Sequence, residues 1–302
     1  YPEVSIKLYS GIYYLESRGY RPEEIFRIGK TLKNKAKRYY TVDNSIYENR
    51  KSAGNVIDKE AGILNRGNLT RLKNFLNRAA QGERLTVGFI GGSITQGFAA
   101  TAPDKCYAAR TVAWLRKVFP NTEFDYVNAG IGATNSQFGA ARVQEDLLCR
   151  LPDLAMVEFS VNDHCTPHDM ETYEGLIRQI YGSRSCPAMV LLHSVYYDTG
   201  KSAAYYHAQI GRHYDLPCIS MQNSIYPAVA AGKLPAEKIT ADFLHPNDLG
   251  HEFMVAVITN FLEKVIHDKT EEQQEIFPAP LTENAYEHCA RLQYFNSTPE
   301  KR

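Results

Sequence analysis

Between residues 85 and 268, short apolar runs alternate with amphipathic stretches. The runs are Leu85–Ile90, Phe124–Asn128, Leu154–Phe159, Ala188–His193 and Pro217–Ser220. They are nearly continuous in apolar side chains, as strands buried on both faces must be. Between them the apolar positions recur at helical spacing. Lys105–Phe119 carries Val112, Leu115 and Phe119 on one face and is ended by Pro120. Ser136–Leu148 and Asp169–Tyr181 follow, the second closed by Gly182. Asp248–Val265 is the strongest, with Leu249, Phe253, Val257, Ile258, Phe261, Leu262 and Val265 forming a stripe. Strand and helix in alternation predict an α/β fold, a parallel sheet with helices on both faces.

Residues 1–84 lack that rhythm and read as polar and helical. Pro22 opens one expected helix. Asn68–Ala80 is another, with Leu69, Leu72 and Leu76 on one face and Gly82 at its end. The expected division is an N-terminal helical extension over 1–84, an α/β domain over 85–268, and residues 269–302 as a tail or the stub of an appended module. That last stretch opens on a charged run and contains Phe277-Pro278-Ala279-Pro280.

Composition narrows the function. Lys plus Arg and Asp plus Glu each number 34, so the formal net charge is zero and no nucleic-acid or membrane-surface partner is expected. The basic run at Lys30, Lys33, Lys35, Lys37 and Arg38 reads as a solvated helix face. No apolar run approaches the roughly 18–20 residues of a membrane span, and no leader-like segment opens the chain. The expectation is a cytoplasmic protein, although the first residue is Tyr and the natural start is open. Six cysteines, Cys106, Cys149, Cys165, Cys186, Cys218 and Cys289, are scattered without a CxxC pair. They read as small core residues in a reducing compartment, with no metal site and no cofactor expected.

Candidate chemistry sits where the expected strands end, which is where open α/β sheets bind ligands. Gly91-Gly92-Ser93-Ile94-Thr95-Gln96-Gly97 follows the first strand and offers a hydroxyl in a tight turn. It matches neither GxGxxG nor GK[ST], and Thr95 stands where a GxSxG elbow needs its second glycine. Asp242-Phe243-Leu244-His245-Pro246 supplies an acid and an imidazole three residues apart; a serine hydroxyl needs such a base, and the base needs an orienting partner. His251, His164, His168 and His193 compete for the role of base, with His251 inside the helical stripe. Val161-Asn162-Asp163 ends another strand, and an amide there suits a developing oxyanion. Asn128-Ala129-Gly130-Ile131-Gly132-Ala133-Thr134-Asn135-Ser136 offers backbone N–H groups at a helix start. Each segment alone is also an ordinary turn. Together they make up the parts of an acyl-transfer site.

In these residues the sequence resembles the SGNH, or GDSL-like, hydrolase superfamily. Gly91–Thr95 is similar to its first block, with Gly-Ser-Ile for Asp-Ser-Leu; Asn128–Gly139, Val161–Asp163 and Asp242–His245 are similar to the others, in order, over about 150 residues. The resemblance implies a flavodoxin-like three-layer sandwich and an open site without a metal. It implies Ser93 as nucleophile, His245 as base and Asp242 as its orienter. It implies an oxyanion hole from the Ser93 N–H, the Ala133 N–H and the Asn162 side chain, with Gly132 as the alternative second donor. The lead-in Asn65-Arg66-Gly67-Asn68 and the run Asn135–Gly139 further resemble bacterial esterases that remove acetyl groups from plant polysaccharides such as xylan or mannan. An acetylated oligosaccharide or polysaccharide is then the expected substrate. A lipid or thioester hydrolase, and a non-catalytic sugar-binding module on the same fold, are the competing expectations. Thr95, Gln96 and Thr101 around Ser93 lean toward a sugar ester.

Overall fold

The computed structural model describes residues 56–291. The helix expected at Pro22, the basic run at residues 30–38 and the end of the chain from 292 lie outside the described residues. In chain order the elements are β1 (Ile63–Asn65), α1 (Thr70–Ala80), β2 (Leu85–Gly91), α2 (Ser93–Gln96), α3 (Tyr107–Val118), β3 (Phe124–Gly130), α4 (Ser136–Asp146), β4 (Leu154–Glu158), α5 (Pro167–Tyr181), β5 (Ala188–His193), α6 (Ala204–His213), β6 (Cys218–Ser220), α7 (Met221–Ser224), α8 (Tyr226–Ala230), α9 (Ala236–Ile239) and α10 (Asp248–His267).

The six strands lie in the order β1-β6-β5-β4-β2-β3. All neighbouring pairs are parallel except β1 with β6. Alternate residues of the central strands feed two separate cores. Val87, Phe89, Leu154, Met156, Val190 and Leu192 face α1, α3 and α10. Ile90, Ala155, Val157, Met189 and Leu191 face α4, α5 and α6. This is the three-layer α/β sandwich that the alternation predicts. Among the described residues, no helix is long and apolar enough to cross a membrane.

Three features differ from the sequence reading. First, residues 63–80 are integral to the sandwich. β1 extends the sheet at β6, and α1 buries Leu72, Phe75, Leu76 and Ala79. β1 is three residues long, too short for any periodicity to register. Second, α6 has no counterpart in the expected elements. Its buried face is Ala204, His207, Ala208, Ile210 and Gly211, mostly small or polar, so it presents no apolar stripe. Third, all six cysteines are free, but only Cys106 and Cys218 are buried; Cys149 and Cys186 are exposed, so the expectation that all six are core residues does not hold.

The segment after α10 is neither helix nor strand, yet it is tied to the sandwich. Arg66 donates to Asp268 and Glu272 at 2.8 and 2.6 Å, Arg71 to Glu275 at 2.8 Å, and Arg178 to Glu287 at 2.7 Å. Buried Glu174 accepts the Leu281 and Thr282 backbone N–H groups.

Candidate active site

The site is built at the carboxyl ends of β2, β3 and β4 and in the loop before α10. β2 ends at Gly91, and Ser93 heads α2, where a first-turn N–H has no partner within the helix. Gly97 ends α2 in the left-handed region, at φ 88°. Where β3 closes on the serine turn, the backbone leaves no room for a side chain. A β-carbon on Gly130 would stand 2.2 Å from the Gln96 nitrogen, so only glycine lets the end of β3 close on α2.

Asp242 and His245 lie in a loop pinched shut by the bridge between Thr240 and Pro246. Asn247 closes the far side by capping α10, its Oδ1 accepting from Leu249 and Gly250. At the tip, Phe243 takes φ 62°, and its carbonyl accepts the Tyr197 N–H at 2.7 Å. The turn brings both Asp242 oxygens to bear. Oδ1 accepts the Leu244 and His245 backbone N–H groups at 3.0 and 2.8 Å and the Thr240 hydroxyl at 3.0 Å. Oδ2 lies 2.6 Å from His245 Nδ1. Burial acts to raise the Asp242 carboxyl. The His245 ring N–H and the two backbone donors outweigh it and hold the carboxyl well below the usual carboxylate range. An ionised Asp242 accepts a proton-bearing Nδ1, which leaves Nε2 of the neutral ring with its lone pair. That Nε2 lies 2.8 Å from Ser93 Oγ. The Phe98 ring, 57% exposed, lies against the imidazole with centroids 4.5 Å apart.

The competing histidines are elsewhere. His251 is buried, and its Nδ1 accepts the Tyr107 N–H at 3.2 Å; burial pushes it down to about 4. His193 is buried at the end of β5 and pushed by burial to about 3. His168 lies on the surface, 3.3 Å from Gln137 Oε1. His164 lines a cavity of about 420 Å³ with Ala133, Thr134, Asn135, Phe138 and Asn162.

Ala133 and Asn162 therefore share one cavity wall. Gly132 donates its N–H to Gln96 Oε1 at 3.0 Å, which commits it. The Ala133 N–H meets no acceptor among the described residues. Ala133 stands at φ 58°, a conformation that costs a residue with a β-carbon about 1–2 kcal/mol. Asn162 ends the β4 turn; its Oδ1 is buried without a partner beside Gly92. Beneath these loops, fully buried Arg142 donates to the Ala129 and Gly91 carbonyls at 2.7 and 3.0 Å and to Asp146 at 3.0 Å. It ties the ends of β2 and β3 together. Sequence reasoning missed Arg142, Phe98, Phe138 and the buried His207. Only Arg142 left a signal, as a cation on the inward side of the Ser136–Leu148 stripe.

The arrangement can move a proton from a hydroxyl to an imidazole held by a carboxylate, with amide donors nearby for an oxyanion. Among the described residues, no group of three or more His, Cys, Asp or Glu side chains is arranged to hold a metal ion.

Two crystal structures of a two-domain esterase (CEX) active on acetylated mannans resemble the chain at 51% identity. One, co-crystallized with mannopentaose, has a TM-score of 0.76 over 78% of this chain and 63% of the esterase; the other gives 0.78, 79% and 65%. The chain thus spans less than two thirds of the length of these relatives. A variant of Axe2, an acetyl xylan esterase from Geobacillus stearothermophilus, shares the fold at 19% identity, with a TM-score of 0.50 over 59% of this chain and 94% of Axe2. No curated protein matches. The model of the GDSL-like lipase/acylhydrolase family matches residues 89–253, more than half of the chain and the stretch that holds the serine, Asn162 and the Asp–His loop; the chain belongs to that family.

Proposed function

We propose that this protein is a serine ester hydrolase that removes acetyl groups from plant-type polysaccharides or their oligosaccharides, with acetylated mannan favoured over xylan. The observation that carries the chemistry is the continuous line from Asp242 Oδ2 through His245 to Ser93 Oγ, with spacings of 2.6 and 2.8 Å. Ser93 Oγ attacks the acetyl carbonyl carbon while His245 Nε2 takes its proton. The carbonyl oxygen becomes an oxyanion held by the Ser93 N–H, the Ala133 N–H and the Asn162 amide. Collapse breaks the ester C–O bond, and His245 returns the proton to the departing sugar hydroxyl. Water then attacks the acetyl-serine with His245 again as base, releasing acetate and restoring Ser93. Asp242 keeps Nδ1 protonated and steadies the imidazolium.

Two observations support a sugar substrate. The cavity beside Asn162 carries Thr134, Asn135 and His164 around the half-exposed Phe138 ring, polar edges around one flat apolar face. A lipid or thioester hydrolase needs a continuous apolar groove for its acyl chain, whereas this wall sets Thr134, Asn135, Asn162 and His164 around its one aromatic ring. The mannan preference rests on the 51% identical relatives, which act on acetylated mannans. A sugar-binding module without catalysis has no use for the Ser93–His245 contact.

The test is acetate release by wild type and Ser93→Ala from acetylated mannan and xylan oligosaccharides, beside a medium-chain lipid ester. Release from mannan, lost in the variant, is the expected result. Turnover of the lipid ester alone overturns the substrate class; turnover by Ser93→Ala overturns the mechanism.

A further inference from the structure

A second aspartate–histidine pair lies one residue from Asn162, fully buried and unused by the proton-transfer line. His207 Nε2, on α6, is 2.8 Å from Asp163 Oδ2, and both side chains have 0% exposure. The other carboxylate oxygen, Oδ1, accepts the Ser136 N–H at 2.9 Å. Ser136 opens α4 and ends the loop that carries Ala133. One carboxylate thus bridges the turn bearing Asn162 and the loop bearing Ala133. The His207 ring is itself fixed, stacked on Tyr173 at 3.6 Å with an interplanar angle of 4°. The Asn162 turn is held at further points. Val161 O accepts the Tyr196 hydroxyl at 3.1 Å, and Ser160 O accepts the Ala203 N–H at 2.7 Å, just before α6 begins.

Resting on the reading of Ser93 as nucleophile, we propose that Asp163 and His207 are positioning residues for the oxyanion hole. Together they set the spacing between the Ala133 N–H and the Asn162 amide. The physical reason is geometric. Two donors from separate loops stabilise one oxygen only if their separation is fixed before the charge develops, because donors that must reorganise lose their advantage. A hydrogen bond confined to either loop cannot fix that separation. Asp163, bonded to both sides, can, and His207 stops the carboxylate from swinging. A buried carboxylate left with one donor would pay a desolvation penalty and shift to find another.

The test uses His207→Phe, which keeps a flat ring on Tyr173 but loses the N–H; His207→Gln, which restores a donor; and Asp163→Asn. Ser93→Ala is assayed beside them. Each is assayed with p-nitrophenyl acetate, with functional sites counted by an organophosphate that labels the reactive serine, and each is titrated with phenylboronic acid, a tetrahedral mimic. For His207→Phe the expected result is a kcat per labelled site lowered roughly 10- to 100-fold with KM within about threefold. Phenylboronic acid affinity should fall in parallel. His207→Gln should recover most of the loss. Should His207→Phe fail to fold, Asp163→Asn carries the same expectation. A kcat per labelled site unchanged in both variants, with Ser93→Ala inactive, overturns the positioning role alone. Retained turnover in Ser93→Ala overturns the serine reading beneath it. Loss confined to thermal stability, with kcat per site and boronate affinity intact, reduces the pair to a structural one and also overturns the proposal.

Discussion

A β-carbon added to Gly92 would stand 2.2 Å from Asn162 Oδ1, so the Asn162 amide rests directly on the peptide that leads into Ser93. The proposed nucleophile and the proposed oxyanion donor are thus fitted to each other. Removing the amide by Asn162→Ala should lower kcat roughly 10²- to 10³-fold with little change in KM, the usual effect of losing one such donor. Gly92→Ala should cost turnover for a different reason, by pushing the amide away. Steady-state kinetics on both variants checks this; a normal kcat for Asn162→Ala removes that residue from the hole.

Asp242 accepts the ring of His245 and two backbone N–H groups at once. In Asp242→Asn, the carbonyl oxygen would stay with the backbone donors, and the amide NH₂ would face Nδ1. The ring would then carry its proton on Nε2 and could not accept from Ser93. The expected loss is about 10⁴ in kcat with the fold intact, while His251→Gln should leave kcat nearly unchanged. The opposite ranking would reassign the base.

The sheet and its principal helices were legible because a two-sided sheet demands apolar runs and its covering helices demand stripes. β1 and α6 were not, since one is three residues long and the other buries small and polar side chains. In the site, Ser93, Ala133 and Asn162 lie within local motifs after strand ends, and Asp242 and His245 lie three residues apart in one loop before α10. Arg142 and His207 contact the site from distant helices. Their partners, the Gly91 carbonyl and Asp163, are 51 and 44 residues away, and no local pattern encodes such a pairing.

Ala133, on the cavity wall, stands at φ 58°, where glycine is at ease and alanine is not. Ala133→Gly should keep kcat within about threefold and change stability by less than about 1 kcal/mol, since relief of strain opposes the greater freedom of the unfolded chain. Ala133→Val should destabilise by about 1–2 kcal/mol. Denaturant midpoints measure both. A large gain in activity for the glycine variant would mean that the alanine holds the loop away from its working position.

Two buried histidines set an acid limit on the fold. Burial lowers His251 from 6.5 to about 4 and His193 to about 3. As pH falls below 6.5, the unfolded chain takes up protons that the folded one refuses, so stability is full above that pH and declines toward 4. The slope should be about 1.4 kcal/mol per pH unit for each histidine. His251→Gln, which preserves an acceptor for Tyr107, should remove about half of it. Thermal midpoints at pH 7, 6 and 5 test this; a flat wild-type profile would contradict it.

The antiparallel pairing of β1 with β6 also decides where the polypeptide can be cut. A fragment started at residue 85, where the strand rhythm begins, would lack both β1 and α1. It would bare the β6 edge, a row of unpaired amides and carbonyls that invites another chain to add on. It would also uncover the apolar surface that Leu72, Phe75 and Leu76 now shield. Such a fragment should collect in inclusion bodies however complete its catalytic machinery, and a recombinant version must begin upstream of Ile63 to keep both β1 and α1.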